Sequence, residues 1–235
     1  MNAPVVRLAG IQKNYGGLRP FRLRALEVAA GERVALSGLD AATAELFVNL
    51  VTGATLPDAG TVETFGRATS EISDGDAWLA SLDRFGLVSP RAVLLEGSTV
   101  QQNLALPFSL DIDEPEPDVV ERVSALAREC GIQADDLARP AAELPAHVRV
   151  RVHLARALAL GPELLLIEHP TAEVTEVERG PLARDMAAVI GGRRASAVII
   201  TLDAPFAEAV AHRSLELQPA TGALVPWKRK RGWFR

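Results

Sequence analysis

The chain has 235 residues, of which 48% are apolar, enough to bury one sizeable core and too many for a disordered segment. Its net charge of −5 argues against general nucleic-acid binding. The charge is uneven, because Trp227–Arg235 carries five basic residues; taking those five from −5 leaves −10 on the rest. A single cysteine, Cys130, excludes an internal disulfide, fits a reducing compartment and reads as a small buried apolar residue. No stretch reaches the about 18 apolar residues of a membrane span, and the start of the chain shows no signal-peptide pattern.

The first predicted elements are strands at Val5–Leu8 and Phe21–Val28, separated by the turn residues Gly16, Gly17 and Pro20. Tyr15, in that connection, is either an exposed stacking ring or a turn anchor. Arg33–Ser37 is a short buried strand, followed by a small-residue turn over Gly38–Thr43 and a helix over Ala44–Val51 with Leu46, Phe47, Leu50 and Val51 at helical spacing. A phosphate-cradling loop of the form GxxxxGK[ST] belongs at this strand–turn–helix junction, and Gly38 to Glu45 has its length. The chemistry differs: Thr43 stands at the second glycine, Ala44 at the lysine and Glu45 at the hydroxyl. The loop therefore carries two carboxylates, Asp40 and Glu45, and no lysine. Such a lining repels a polyphosphate where a lysine would attract it. Asp40 is also a favoured helix N-cap, so its carboxylate is expected to accept the N–H groups that a phosphate would otherwise take.

Thr61–Phe65 and Phe85–Val88 follow as strands, with a short helix at Asp76–Leu82 between them. The texture changes at Ser89-Pro90. An acidic, proline-broken run, Asp111–Asp118, leads into a helix over Val119–Cys130 that Gly131 stops. Residues 89 to 144 read as a helical lobe inserted into a strand-rich core. Val148–Leu160 is a helix, Leu164–Ile167 a strand covered on both faces, Leu182–Ile190 a helix, Ala197–Thr201 a second buried strand, Phe206–His212 a helix and Leu215–Gln218 the last strand. Apolar strands alternating with helices imply an α/β fold with a mainly parallel sheet wrapped by helices. The expected organisation is one domain over 1–226, with its core at 1–88 and 145–226 and the lobe at 89–144, and a basic–aromatic tail at 227–235. His147, His153 and His212 show no metal-ligand spacing.

The order of these landmarks resembles the ATP-binding subunits of ABC transporters over nearly the whole chain to about Leu217, and most of all bacterial lipid or organic-solvent transport ATPases. The segments that carry the resemblance are RVALSG, LVTGATLPDAGTV, FGLVSPRAVLLEGSTVQQNLALP, ELPAHVRVRVHLARALALGPELLLIEHPTA and VIITLD. The resemblance implies a P-loop NTPase fold of the ABC type, with an antiparallel β edge and the inserted lobe. It also implies a dimer, homo- or heteromeric, with another ABC ATPase-like subunit, a membrane permease as partner, and a cytoplasmic location on the inner face of the cell membrane. It places Tyr15 where a ring stacks on adenine and Gly38 at the first P-loop glycine. Ala44 replaces the phosphate-binding lysine, Glu45 the magnesium hydroxyl and Pro90 the Q-loop glutamine. Pro145-Ala146-His147-Val148 replaces the signature after Leu144. Glu168 replaces the aspartate that ends the second nucleotide strand, His169 the catalytic glutamate, Thr175 the D-loop aspartate and Leu202 the switch histidine. The expectation is a non-hydrolysing subunit with no cofactor, in which Tyr15, Gly38, Thr43, Ala44 and Glu45 mark an altered nucleotide site. The alternative is weak ATP and magnesium chemistry using Glu168 and His169, since histidine titrates near neutrality. The tail Trp227–Arg235 suits an anionic membrane surface, at about 1 kcal/mol per basic residue.

Overall fold

The structure, a computed structural model, describes residues 4–17, 19–72 and 74–227; the basic part of the expected tail, 228–235, lies outside the described residues. The first half of the chain forms β1 (Pro4–Lys13), β2 (Phe21–Ala29), β3 (Arg33–Ser37), α1 (Ala41–Val51), β4 (Ala59–Thr64), β5 (Arg67–Ala68), α2 (Gly75–Leu82), β6 (Phe85–Val88) and α3 (Val100–Ala105). The second half forms α4 (Pro117–Glu129), α5 (Ala146–Leu158), β7 (Leu164–Glu168), α6 (Glu176–Gly192), β8 (Ser196–Ile200), α7 (Ala204–Val210), β9 (Arg213–Gln218) and β10 (Ala223–Pro226).

Two sheets result. One is antiparallel in the order β2-β1-β4-β5; the other has the order β10-β9-β3-β8-β7-β6 and is parallel apart from the β9–β10 hairpin. This is the α/β arrangement expected from the alternation of apolar strands and helices. In β1 and β2 the in–out alternation breaks in step, with Ala9 and Gly10 exposed on one strand and Arg24 and Ala25 on the other. Gly10 takes φ +63°, and the buried pairs Leu8–Leu26 and Ile11–Leu23 stay in register on either side of the break.

β7 and β8 are buried at all five positions, so successive side chains feed two different cores. Leu164, Leu166, Val198 and Ile200 pack with Phe47, Leu50, Leu8 and Ile11 between the two sheets. Leu165, Ile167, Ala197 and Ile199 face the other way, against the lobe helices α3 and α4 and against α5, α6 and α7. Cys130 is buried in this second core, and burial pushes its thiol up to about 12. Because β3, β7 and β8 are parallel, their carboxyl ends lie together along one edge of the sheet, the usual place for a ligand in an open α/β sheet.

Several elements differ from the sequence expectation, three of them for an evident physical reason. α1 begins at Ala41, not Ala44, because Asp40 caps it. α6 begins at Glu176 and runs through Pro181, where the apolar periodicity alone suggested a start at Leu182. The bond that Pro181 cannot donate would have gone to Val177, whose side chain is 80% exposed, so water can serve that carbonyl. β10 was not expected at all; the chain turns back through Gly222 at φ +70° and pairs with β9. Among the described residues no helix is long and apolar enough to cross a membrane.

Candidate functional site

Gly38 ends β3 and takes φ +82°; a Cβ there would lie 2.6 Å from the carbonyl oxygen of Leu217. Only glycine fits this turn. Two residues on, Asp40 is extended and its Oδ1 accepts hydrogen bonds from the Thr43 backbone N–H at 2.9 Å and the Thr43 hydroxyl at 2.7 Å. The hydroxyl and backbone N–H of Thr43 hold the Asp40 carboxyl below the usual aspartate range, with a smaller contribution from nearby His169. The capping expected of Asp40 is thus present. Ala44 is fully buried in the core between the sheets, so the position assigned to a lysine sends nothing into the loop.

Glu45 and Glu168 converge on one side chain that the sequence reading passed over. Arg91 places Nη1 3.1 Å from Glu45 Oε1 and Nη2 2.5 Å from Glu168 Oε1. Glu168 is 4% exposed, the end of an otherwise apolar strand; Glu45 is half exposed. Arg91 follows Pro90, in a turn fixed by its own backbone N–H donating to Ser89 Oγ at 3.1 Å and by Ala92 N–H donating to the Ser89 carbonyl at 3.0 Å. From α5, Arg156 forks onto the carbonyls of Ala92 at 2.6 Å and Val93 at 2.9 Å. The clue in the sequence was a carboxylate at the end of a fully apolar strand, which needs a countercharge from somewhere.

His169 leaves β7 at φ +44°, a conformation uncommon outside glycine. Its backbone is held at both ends: N–H donates to the Ile200 carbonyl at 2.8 Å and its own carbonyl accepts from Ala172 N–H at 3.0 Å. Its buried Nε2 has no hydrogen-bond partner among the described residues. The residue borders two clefts. The larger, of about 580 Å³, lies between residues 88–96, α5 and residues 168–174; the smaller, of about 200 Å³, lies beside Arg179, Leu202 and Asp203. His153, on α5, also lines the larger cleft; burial, then the charges of Arg156 and Arg149, pull its imidazole down to about 4.

The remaining positions contribute less. Tyr15 is 38% exposed, and its ring lies so close over Gly17 that a Cβ there would be 2.8 Å from Cζ. Leu202 is exposed past the end of β8, while Asp203 caps α7 through Phe206 N–H at 3.0 Å. Thr175 precedes α6 without a side-chain capping bond. His147 approaches Glu178 at 3.9 Å, and His212 Nδ1 accepts from the Arg33 backbone N–H at 3.1 Å. No group of three or more metal-ligating side chains occurs among the described residues.

The family model described as ABC transporter matches residues 23–172, which span β2 to the exit of β7 and so include the whole carboxylate–arginine cluster. The chain belongs to the ABC transporter family. The methionine import ATP-binding protein of Brucella abortus is 30% identical over 171 residues, 73% of this chain and 46% of that protein. The pyoverdine export ATP-binding/permease protein of Pseudomonas putida is 29% identical over 224 residues, 93% of this chain and 34% of that protein. The chain thus spans less than half the length of these ABC relatives. Among solved structures, cbiO1 from Clostridium perfringens, part of the transporter complex cbiONQ, superposes with a TM-score of 0.80 at 17% identity, covering 95% of this chain and 88% of that one. The ATP-binding cassette MJ0796, in a dimeric post-hydrolysis state bound to ADP and Pi, superposes with a TM-score of 0.76 at 20% identity, covering 97% of this chain and all of that one. These superpositions show that the fold is that of an ABC ATPase cassette.

Proposed function

We propose that this chain is the ATP-binding-type subunit of a bacterial lipid-type transport complex, docked to a membrane permease on the cytoplasmic face and paired with a second ABC ATPase-like subunit, and that it does not hydrolyse ATP. The observation that carries the reading is the Arg91 bridge between Glu45 and Glu168. A metal–polyphosphate needs oxygen ligands free for the cation and N–H groups free for the phosphates. Here both carboxylates are engaged by a guanidinium, the Thr43 N–H is taken by Asp40, and Ala44 offers no cation. The side chains present therefore do not suit magnesium–ATP.

The dimeric MJ0796 cassette supports pairing with a second cassette. The framework segments that resemble lipid and organic-solvent transport ATPases support the cargo class; methionine, phosphonate and ferric-ion import belong to the relatives that carry those names. A permease complex holding this chain is expected to co-purify with phospholipid, and an amino acid or metal ion in its place would contradict the cargo.

One observation favours a second reading, weak hydrolysis using Glu168 and His169 with the histidine as base: its Nε2 is buried, without a hydrogen-bond partner among the described residues, and held in a strained backbone. Phosphate release at saturating magnesium–ATP separates the two. The non-hydrolysing reading expects release at the level of a protein-free blank; release above blank that His169→Ala removes would establish the weak enzyme instead.

A further inference from the structure

We propose that Arg91 is a built-in counter-cation which fills the point where Glu45 and Glu168 converge and so shuts out divalent metal. The inference deepens the non-hydrolysing reading above and rests on it.

Glu168 is buried at the carboxyl end of β7, where a carboxylate without a partner is costly. Glu45, in the first turns of α1, points its carboxylate at the same place from a different element. Two oxygen donors from separate elements, one in a dry setting, form the kind of pair that holds a hard divalent cation whose other ligands are water. The guanidinium takes that place with one Nη to each carboxylate, which its planar fork allows. It is also aimed. Pro90 and the Ser89 hydroxyl set the turn that carries it, and Arg156 anchors the next two carbonyls to α5. The contact ties α1, β7 and the start of the lobe together. With no third metal-ligating side chain nearby among the described residues, a metal admitted to this point would be held weakly, by two carboxylates and water.

The test is metal binding by the full chain, with manganese as the probe, followed by water-proton relaxation and by melting temperature. The wild-type chain is expected to show no specific manganese binding. Arg91→Met should bind manganese at least roughly tenfold more tightly than wild type. The double variant Arg91→Met/Glu168→Gln should lose that gain, and Arg91→Lys, which keeps a positive charge, should stay close to wild type. If Arg91→Met folds poorly, magnesium or calcium should raise its melting temperature but not that of the double variant. Manganese binding by wild type equal to that of Arg91→Met overturns the proposal. So does an Arg91→Met protein that neither gains manganese nor responds to magnesium or calcium. Phosphate release from magnesium–ATP is measured on the same samples. Turnover by wild type overturns the non-hydrolysing reading, whereas absent turnover with no metal gain in Arg91→Met overturns only the role of Arg91.

Discussion

Two arginine–carboxylate pairs bury opposite partners. In the pair between α5 and α6, Arg151 is the buried member, 9% exposed, and Asp185, 2.6 Å away, is half in solvent. The guanidinium also donates to the Cys130 carbonyl at 3.1 Å, closing the end of α4. In the pair at the edge of the sheet the anion is buried, Glu168 at 4%, and Arg91 is 36% exposed. The first is a packing joint among helices, in which the cation satisfies a backbone group and its counter-ion can relax into water. The second is a buried carboxylate at the mouth of a site, answered among the described residues by the arginine. The difference separates a joint that holds helices together from the part of the fold that lines the candidate site.

This contrast can be broken by unfolding measurements. Arg91→Met strands the buried Glu168 charge and should cost about 4 kcal/mol at neutral pH in urea denaturation. Replacing Glu168 by leucine in the same chain should return most of that loss, since an apolar pair of similar volume leaves no buried charge. Arg151→Met should cost less, about 2 kcal/mol, because Asp185 remains solvated and the loss is confined to the hydrogen bonds to Asp185 and the Cys130 carbonyl and some packing. An Arg151→Met cost larger than that of Arg91→Met would invert the comparison.

His153 sharpens it from the other side, as a buried group that stays neutral. Its folded value of about 4 lies below the ordinary histidine range. The unfolded chain therefore takes up a proton first as pH falls from about 6.5, and the folded chain only near 4. Stability is present above that window and is lost on descending through it, by up to about 3 kcal/mol. His153→Leu should flatten this limb of a melting-temperature profile; an unchanged limb would show that the imidazole is not held neutral. The smallest effect is at the α1 cap. Asp40→Ala should cost about 1 kcal/mol at pH 7. The Asp40 carboxyl is held low in the folded state, so its contribution fades only as pH falls below the ordinary aspartate range, and wild type and variant should converge there.

The framework was legible in the sequence because burial on both faces writes itself as unbroken apolar runs. Arg33–Ser37 and Phe85–Val88 are strands over the residues expected, and β7 and β8 differ by a residue at their ends. The cap by Asp40 was legible because its partner, Thr43, is three residues away. Arg91 was not, since its partners lie in distant parts of the chain and no local period links them. The start of α6 was misplaced because Pro181 looks like a breaker until Val177 is known to face solvent. The backbone strain at His169 left no trace either, since a positive φ is set by the two hydrogen bonds that bracket it, to Ile200 and Ala172.

Isothermal titration of the intact chain with ATP in excess magnesium goes most directly to the central claim. A loop capped by Asp40 and a carboxylate pair closed by Arg91 should give no saturable heat; a micromolar one-to-one isotherm would mean that the site opens to nucleotide after all.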